Sequence, residues 1–242
     1  MSTNPQDGSR PTIVLVHGAF AESASWDGVI ARLQGQGYTA VAAANPIRSV
    51  SGDAGFLASI LDAIEGPIVL VGHSYGGAVM SNAALDKGNV EALVFVGAFA
   101  PEAGENIGEL SARYPGATLG ETLWTVPLSD GSNDLYIRQD LYHQQFAEDV
   151  PAEQAALMAT GQRPLRDVAV NEASGPPAWK SIPSWFVFGD LDKNIPVAAH
   201  RFMAERAEAR EILEIEGASH AVGVSRPEEV ADIILRAAKD VE

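Results

Sequence analysis

Leu70-Val71-Gly72-His73-Ser74-Tyr75-Gly76-Gly77 runs a strand end, a tight turn and a helix start together in eight residues. The apolar run Ile68-Val69-Leu70-Val71 leads in, and a helix-like segment from Ala78 to Leu85 follows. A G-x-S-x-G pentapeptide in that setting lifts its serine hydroxyl above the edge of a sheet. Glycine flanks the serine because a Cβ would clash in so sharp a turn. The start of the following helix aims free N–H groups and the positive end of its dipole at the same point. That favours an oxyanion beside a nucleophile.

A serine alcohol needs a base to take its proton. The chain has five histidines. His73 precedes the serine and points away from its hydroxyl, and His17 ends the strand that begins near Thr12. His143 and His200 lie in polar, helix-like surroundings and read as solvated surface. His220 lies in Glu216-Gly217-Ala218-Ser219-His220-Ala221, a small-residue loop after the alternating run Ile212-Leu213-Glu214-Ile215. A loop past a strand end can swing over the top of a sheet, so His220 is the best-placed base. The base in turn needs a carboxylate to hold its tautomer. Trp185-Phe186-Val187-Phe188-Gly189 reads as a buried strand, followed by Asp190-Leu191-Asp192 and a helix with Pro196 in its first turn. Spacing alone leaves Asp190 and Asp192 both open.

Acyl transfer also needs donors for the tetrahedral oxyanion. One is the backbone N–H of Tyr75, the residue after the serine. The second belongs to the loop after the strand Thr12-Ile13-Val14-Leu15-Val16, which runs into His17-Gly18-Ala19-Phe20. Ala19 is the preferred donor there, with Phe20 as runner-up.

With these residues in view the chain resembles a known family: the compact α/β-hydrolases, similar to bacterial esterase-like hydrolases and plant methyl-ester esterases. The resemblance rests on Val14-Leu15-Val16-His17-Gly18-Ala19, Ser25-Trp26, Gly72-His73-Ser74-Tyr75-Gly76-Gly77, Gly189-Asp190-Leu191-Asp192 with Pro196, and Gly217-Ala218-Ser219-His220. It implies Ser74 as nucleophile, Asp192 as acid and His220 as base, in the chain order of that fold. It implies the Ala19 and Tyr75 amides as oxyanion hole. It leaves Asp190 as a solvent-facing or helix-capping carboxylate. The implied reaction is cleavage of a small or medium carboxylic ester, lactone or thioester through an acyl-enzyme, with no metal or organic cofactor. Two alternatives share the residues: a non-hydrolytic small-ligand receptor, and a cofactor-free perhydrolase or C–C hydrolase. Haloalkane dehalogenases and epoxide hydrolases carry Asp where Ser74 stands. Related hydroxynitrile lyases carry Thr and Lys where Gly18 and Ala221 stand, which argues against cyanohydrin cleavage.

Strands are expected near 12–16, 39–43, 68–72, 90–96, 184–189 and 210–215. Helices are expected near 26–36, 54–65, 75–87, 197–207 and 227–238. Several strands are continuous apolar runs, as in sheets covered on both faces. Alternation of the two patterns predicts a doubly wound, mostly parallel sheet. There is no room for a hairpin before residue 12, so six strands follow, without the first two of larger relatives. The rhythm breaks between Pro101 and Pro183. A connection this long carries its own structure or function. Residues 102–181 therefore read as a helical cap, with helices near 105–113, 138–147 and 151–160, and residues 1–101 with 182–242 as the core domain. From the cap, Trp124, Tyr136, Tyr142, Phe146 and Met158 are candidates for the substrate pocket, together with Phe20 of the core.

At 242 residues the chain fits one α/β domain with an insertion. Cysteine is absent, which excludes disulfides and thiolate metal sites. The formal charge of −16 argues against nucleic acid and anionic membranes as partners. No apolar run approaches the roughly 20 residues of a membrane span. Residues 1–10 read as a disordered leader without a secretory signal, so the expected location is cytoplasmic. The expected partner is a small-molecule ester, neutral or only weakly anionic. Whether the chain is a monomer or a homodimer stays open.

Overall fold

The computed structural model describes residues 10–242. Positions 1–9 of the expected leader lie outside the described residues, and Arg10 donates from its guanidinium to the Gln36 carbonyl at 3.1 Å.

Six strands form the main sheet: β1 (Thr12–Val16), β2 (Ala40–Ala43), β3 (Ile68–His73), β4 (Val90–Val96), β8 (Ser184–Gly189) and β9 (Glu211–Ile215). Their order is β2-β1-β3-β4-β8-β9, and every pairing is parallel. Residue alternation along each strand serves two cores. Ile13, Leu15, Val69 and Val71 face α1 (Asp27–Gly35) and α10 (Pro227–Asp240), which bury Val29, Leu33, Val230 and Ile234. Val14, Val16, Leu70 and Phe95 face α2 (Val50–Asp62), α3 (Tyr75–Ala83) and α8 (Val197–Arg206). Helices cover both faces, so the strands are apolar throughout. α2 starts four residues earlier than its apolar pattern suggests, because the Ser49 hydroxyl accepts the Gly52 N–H at 3.1 Å and caps it there.

Strand order reverses at β1, so β1 and β3 flank the crevice where such sheets place their ligands. Val16 is in register with Gly72, and Gly189 with Ile215. The loops after β1 and β3 therefore emerge side by side, and so do those after β8 and β9.

The segment between β4 and β8 has helices close to the expected positions and a small sheet besides. It has the helices α4 (Ile107–Ala112), α5 (Gln139–Phe146), α6 (Ala152–Gly161) and α7 (Asp167–Asn171). It also has a three-stranded antiparallel sheet of β5 (Leu123–Pro127), β6 (Asn133–Ile137) and β7 (Leu165–Arg166). The β5–β6 turn closes with Leu128 N–H on the Ser132 carbonyl at 2.8 Å, and Gly131 takes a φ of 87° there. Polar ties at β6 and at the start of α2 help to fasten the segment to the core. Arg48 pairs with Asp134 of β6 at 2.5 Å, and Glu172 accepts the Val50 and Ser51 N–H groups at the start of α2. One short helix, α9 (Val222–Ser225), precedes α10. No helix among the described residues is long and apolar enough to cross a membrane.

Candidate active site

Ser74 sits at the turn from β3 to α3 with φ 53° and ψ −123°, a conformation an L-residue enters only when its surroundings force it. The surroundings are tight. A Cβ on Gly76 would lie 2.5 Å from the Val16 carbonyl oxygen, so only glycine lets α3 start this close to β1. The Ser74 carbonyl is used twice, accepting from Gly77 N–H at 3.0 Å and Phe99 N–H at 3.1 Å. The hydroxyl is left to meet His220, whose Nε2 is 2.9 Å away.

His220 Nδ1 lies 2.6 Å from Asp192 Oδ2. A carboxylate only accepts, so Nδ1 carries the proton and Nε2 presents a lone pair to the serine. Asp192 is buried. Burial works to raise its pKa, but His220 opposite and the hydrogen bonds from His200 and His220 outweigh it, holding the carboxyl well below the usual range. Its other oxygen accepts the Asn194 and Ile195 N–H groups at 2.8 and 2.9 Å. Asp190 points elsewhere, accepting the Gly217 N–H at 2.7 Å and so tying the β8 loop to the β9 loop. That difference separates the two carboxylates which spacing left open.

The loop after β1 brings Ala19 and Phe20 to the wall of the same cavity as Ser74 and Tyr75. Phe20 N–H is already bonded to the Arg163 carbonyl at 2.9 Å. Ala19 N–H has no acceptor among the described residues, and Tyr75, as the first residue of α3, has none within its helix. His17 arranges the Ala19 amide. Its Nε2 accepts Asn45 N–H at 3.0 Å, so Nδ1 is protonated and donates to the Gly18 carbonyl at 2.9 Å. In a trans peptide the Ala19 N–H then turns the opposite way.

The cavity beside Ser74 is about 290 Å³, and its walls come from both core and insertion. Phe99 of the core meets Ile107, Leu119, Leu123, Leu135 and Leu165 of the insertion. No charged side chain lines it among the described residues. The side chains expected there, Phe20 apart, are placed differently. Trp124 pairs across the hairpin with Tyr136, ring centroids 5.4 Å apart, on the face opposite Leu123 and Leu135. Tyr142 is buried and donates to the Phe20 carbonyl at 2.7 Å. Phe146 packs edge-on against His220 at 4.9 Å, behind the imidazole. Met158 lines a separate groove with Ala21, Ser25 and Val224.

His73 and His200 play parts that their sequence context concealed. His73 donates from Nε2 to the His220 carbonyl at 3.0 Å and so holds the loop that carries His220. His200, expected at the surface, is fully buried with Nε2 3.0 Å from Asp192 Oδ2. His143 is half-buried, donating to the Val150 carbonyl at 2.8 Å.

Burial and the neighbouring His220 lower the His73 pKa to about 3, and burial lowers that of His17 to about 4. An unfolded chain binds both protons near pH 6.5, whereas the folded chain refuses them until far lower pH. Folded pKa values below the unfolded one mean that stability is complete above pH 6.5. It falls as pH drops towards 4, by about 1.4 kcal/mol per pH unit for each ring. Urea midpoints should be steady from pH 7 to 8 and fall steeply between pH 6.5 and 4. A flat midpoint across that lower range would mean that these rings titrate normally.

The alpha/beta hydrolase family model matches residues 13–233, and the chain belongs to that family. Among curated relatives, Esterase PIR7B of Oryza sativa subsp. japonica is 28% identical, over 97% of this chain and 98% of the rice protein. The Pyrethroid hydrolase of Sphingobium wenxiniae (strain DSM 21828 / CGMCC 1.7748 / JZ-1) is 28% identical, over 92% of this chain and 85% of its own length. The crystal structure of polyneuridine aldehyde esterase superposes with a TM-score of 0.79 at 18% identity, covering 94% of this chain and 98% of that one, and attests the fold.

Proposed function

We propose that the protein is a carboxylic ester hydrolase acting through Ser74, His220 and Asp192, on neutral esters with an apolar acyl or alcohol group. The observation that carries this reading is the continuous chain from Ser74 Oγ to His220 Nε2 at 2.9 Å and from His220 Nδ1 to Asp192 at 2.6 Å. The named activities of the rice esterase and the pyrethroid hydrolase agree with it.

Ester binds with its carbonyl carbon beside Ser74. His220 Nε2 takes the hydroxyl proton as Oγ attacks, and the Asp192 carboxylate stabilises the imidazolium. The Ala19 and Tyr75 N–H groups receive the oxyanion. Collapse expels the alcohol, which takes the proton back from Nε2 and leaves an acyl-enzyme. Water, deprotonated by His220, then attacks the acyl carbonyl, and the acid leaves with Ser74 restored. Residues 102–181 serve as the cap of this site, because their leucines complete its apolar wall. A cavity of this size without a charged lining residue selects against charged acyl groups, whose desolvation nothing would offset.

Turnover of p-nitrophenyl esters of increasing chain length tests this reading. Butyrate should be hydrolysed, and the p-nitrophenyl hemisuccinate, of similar length but anionic, should have a kcat/KM lower by roughly 100-fold. No turnover of any neutral ester would refute the function, and equal turnover of the anionic ester would refute the pocket.

A further inference from the structure

His200 lies on α8, outside the Ser74–His220–Asp192 chain, yet it is fully buried. Its ring stacks on Phe188 of β8 at 4.7 Å with only 10° between planes. An apolar ring would make that stack equally well. The imidazole instead leaves its Nδ1 buried with no partner among the described residues, which is costly, in order to put an N–H on Asp192. Asp192 Oδ2 thus receives two imidazoles, His220 at 2.6 Å and His200 at 3.0 Å, while Oδ1 receives the two backbone N–H groups described above. Both carboxylate oxygens are fully engaged. The cluster itself holds Asp192 from the loop after β8, His220 from the loop after β9 and His73 from the end of β3, whose ring is 4.8 Å from that of His220. On the His220 loop Asp149 accepts the Ser219 N–H and pairs with Arg226, while His17 lies beyond His73. Arg201 and Arg206 of the same helix are paired with Glu214 and Glu105 instead.

We propose that His200 is a positioning residue for ester hydrolysis: by donating to the oxygen that holds His220, it fixes the rotation of the Asp192 carboxylate and tempers the negative charge that His220 feels. The proposal rests on the assignment of Ser74, His220 and Asp192 made above. Without the His200 N–H, more of the carboxylate charge is directed at His220, which favours the imidazolium. The base must be neutral to act, so the acid limb of the rate profile moves to higher pH.

The test is the pH profile of kcat/KM for p-nitrophenyl butyrate with the wild type, His200→Phe and His200→Gln. Phenylalanine keeps the stack on Phe188 and loses the donor, whereas glutamine keeps a donor. His200→Phe should raise the acid limb by about half a pH unit or more and lower kcat roughly 10-fold with little change in KM. His200→Gln should restore most of both. A His200→Phe profile lowered equally at every pH, with its limb unmoved, would overturn the proposal, as would a His200→Gln limb displaced as far as that of His200→Phe. Imidazole ¹⁵N spectra of the wild-type protein supply a readout that needs no variant. They should show His200 as the Nε2–H tautomer, and the Nδ1–H tautomer would contradict the proposal. Full turnover by Ser74→Ala would sink the underlying assignment instead, so the two failures are distinguishable.

Discussion

Ser74→Ala should fold as the wild type does and lose ester turnover by a factor on the order of 10⁴–10⁶. The fold survives because the backbone, not the hydroxyl, makes the structural contacts of this residue: its carbonyl takes the Gly77 and Phe99 N–H groups and its N–H reaches the Val96 carbonyl. The Oγ contact is to His220. On the proposed mechanism, removing Oγ removes the atom that would form the acyl bond. Ser111 also lines the wall, but its hydroxyl donates to the Asn194 carbonyl at 3.0 Å, away from any base. Unchanged circular dichroism and thermal midpoint, with p-nitrophenyl butyrate hydrolysis near the uncatalysed rate, is the expected pair of results. Retained turnover would place the chemistry elsewhere.

Gly189→Ala should damage both stability and catalysis. Gly189 ends β8 just before the Asp192 loop, and a Cβ there would lie 2.0 Å from the Ala218 carbonyl oxygen and 2.5 Å from its carbon. Both are backbone atoms, so no rotamer relieves the clash. The same Ala218 carbonyl accepts Leu191 N–H at 3.1 Å, and Ala218 stands two residues before His220. Relief therefore requires the loops carrying Asp192 and His220 to separate. The expected cost is about 2–4 kcal/mol by urea denaturation. Hydrolysis by the remaining folded protein should fall more than 100-fold, since roughly 1 Å of misplacement has that effect. A variant with wild-type midpoint and rate would show that the loops have slack which the structure does not display.

The parts of the molecule that sequence made legible are those where one physical signal dominates. Apolar runs such as Ile68–Val71 and Phe186–Phe188 read directly as strands buried on both faces. The serine turn read directly as well, because strand, glycines and helix start agree over a dozen residues. The insertion was harder. Asp130-Gly131 between segments rich in β-branched and aromatic residues is a hairpin signal, but helix-like neighbours on both sides obscured it. Without the hairpin register, nothing tells that Leu123 and Leu135 face the cavity while Trp124 and Tyr136 turn to the other side. His200 was hidden by its neighbours Arg201, Glu205 and Arg206. The stripe Ala199, His200, Met203, Ala204 and Ala207 has helical spacing and is buried, and it carries the histidine inward. The choice between Asp190 and Asp192 depends on which way one short loop turns, and only the three-dimensional path shows that.

The central claim is that Ser74 is a nucleophile made reactive by His220. Stoichiometric exposure to a fluorophosphonate, followed by intact-mass and peptide mass spectrometry, tests it most directly. One phosphonyl adduct per chain on Ser74, absent from Ser74→Ala and slowed by orders of magnitude in His220→Ala, is the result predicted. A folded protein that stays unlabelled, or an adduct on any other residue, would contradict it.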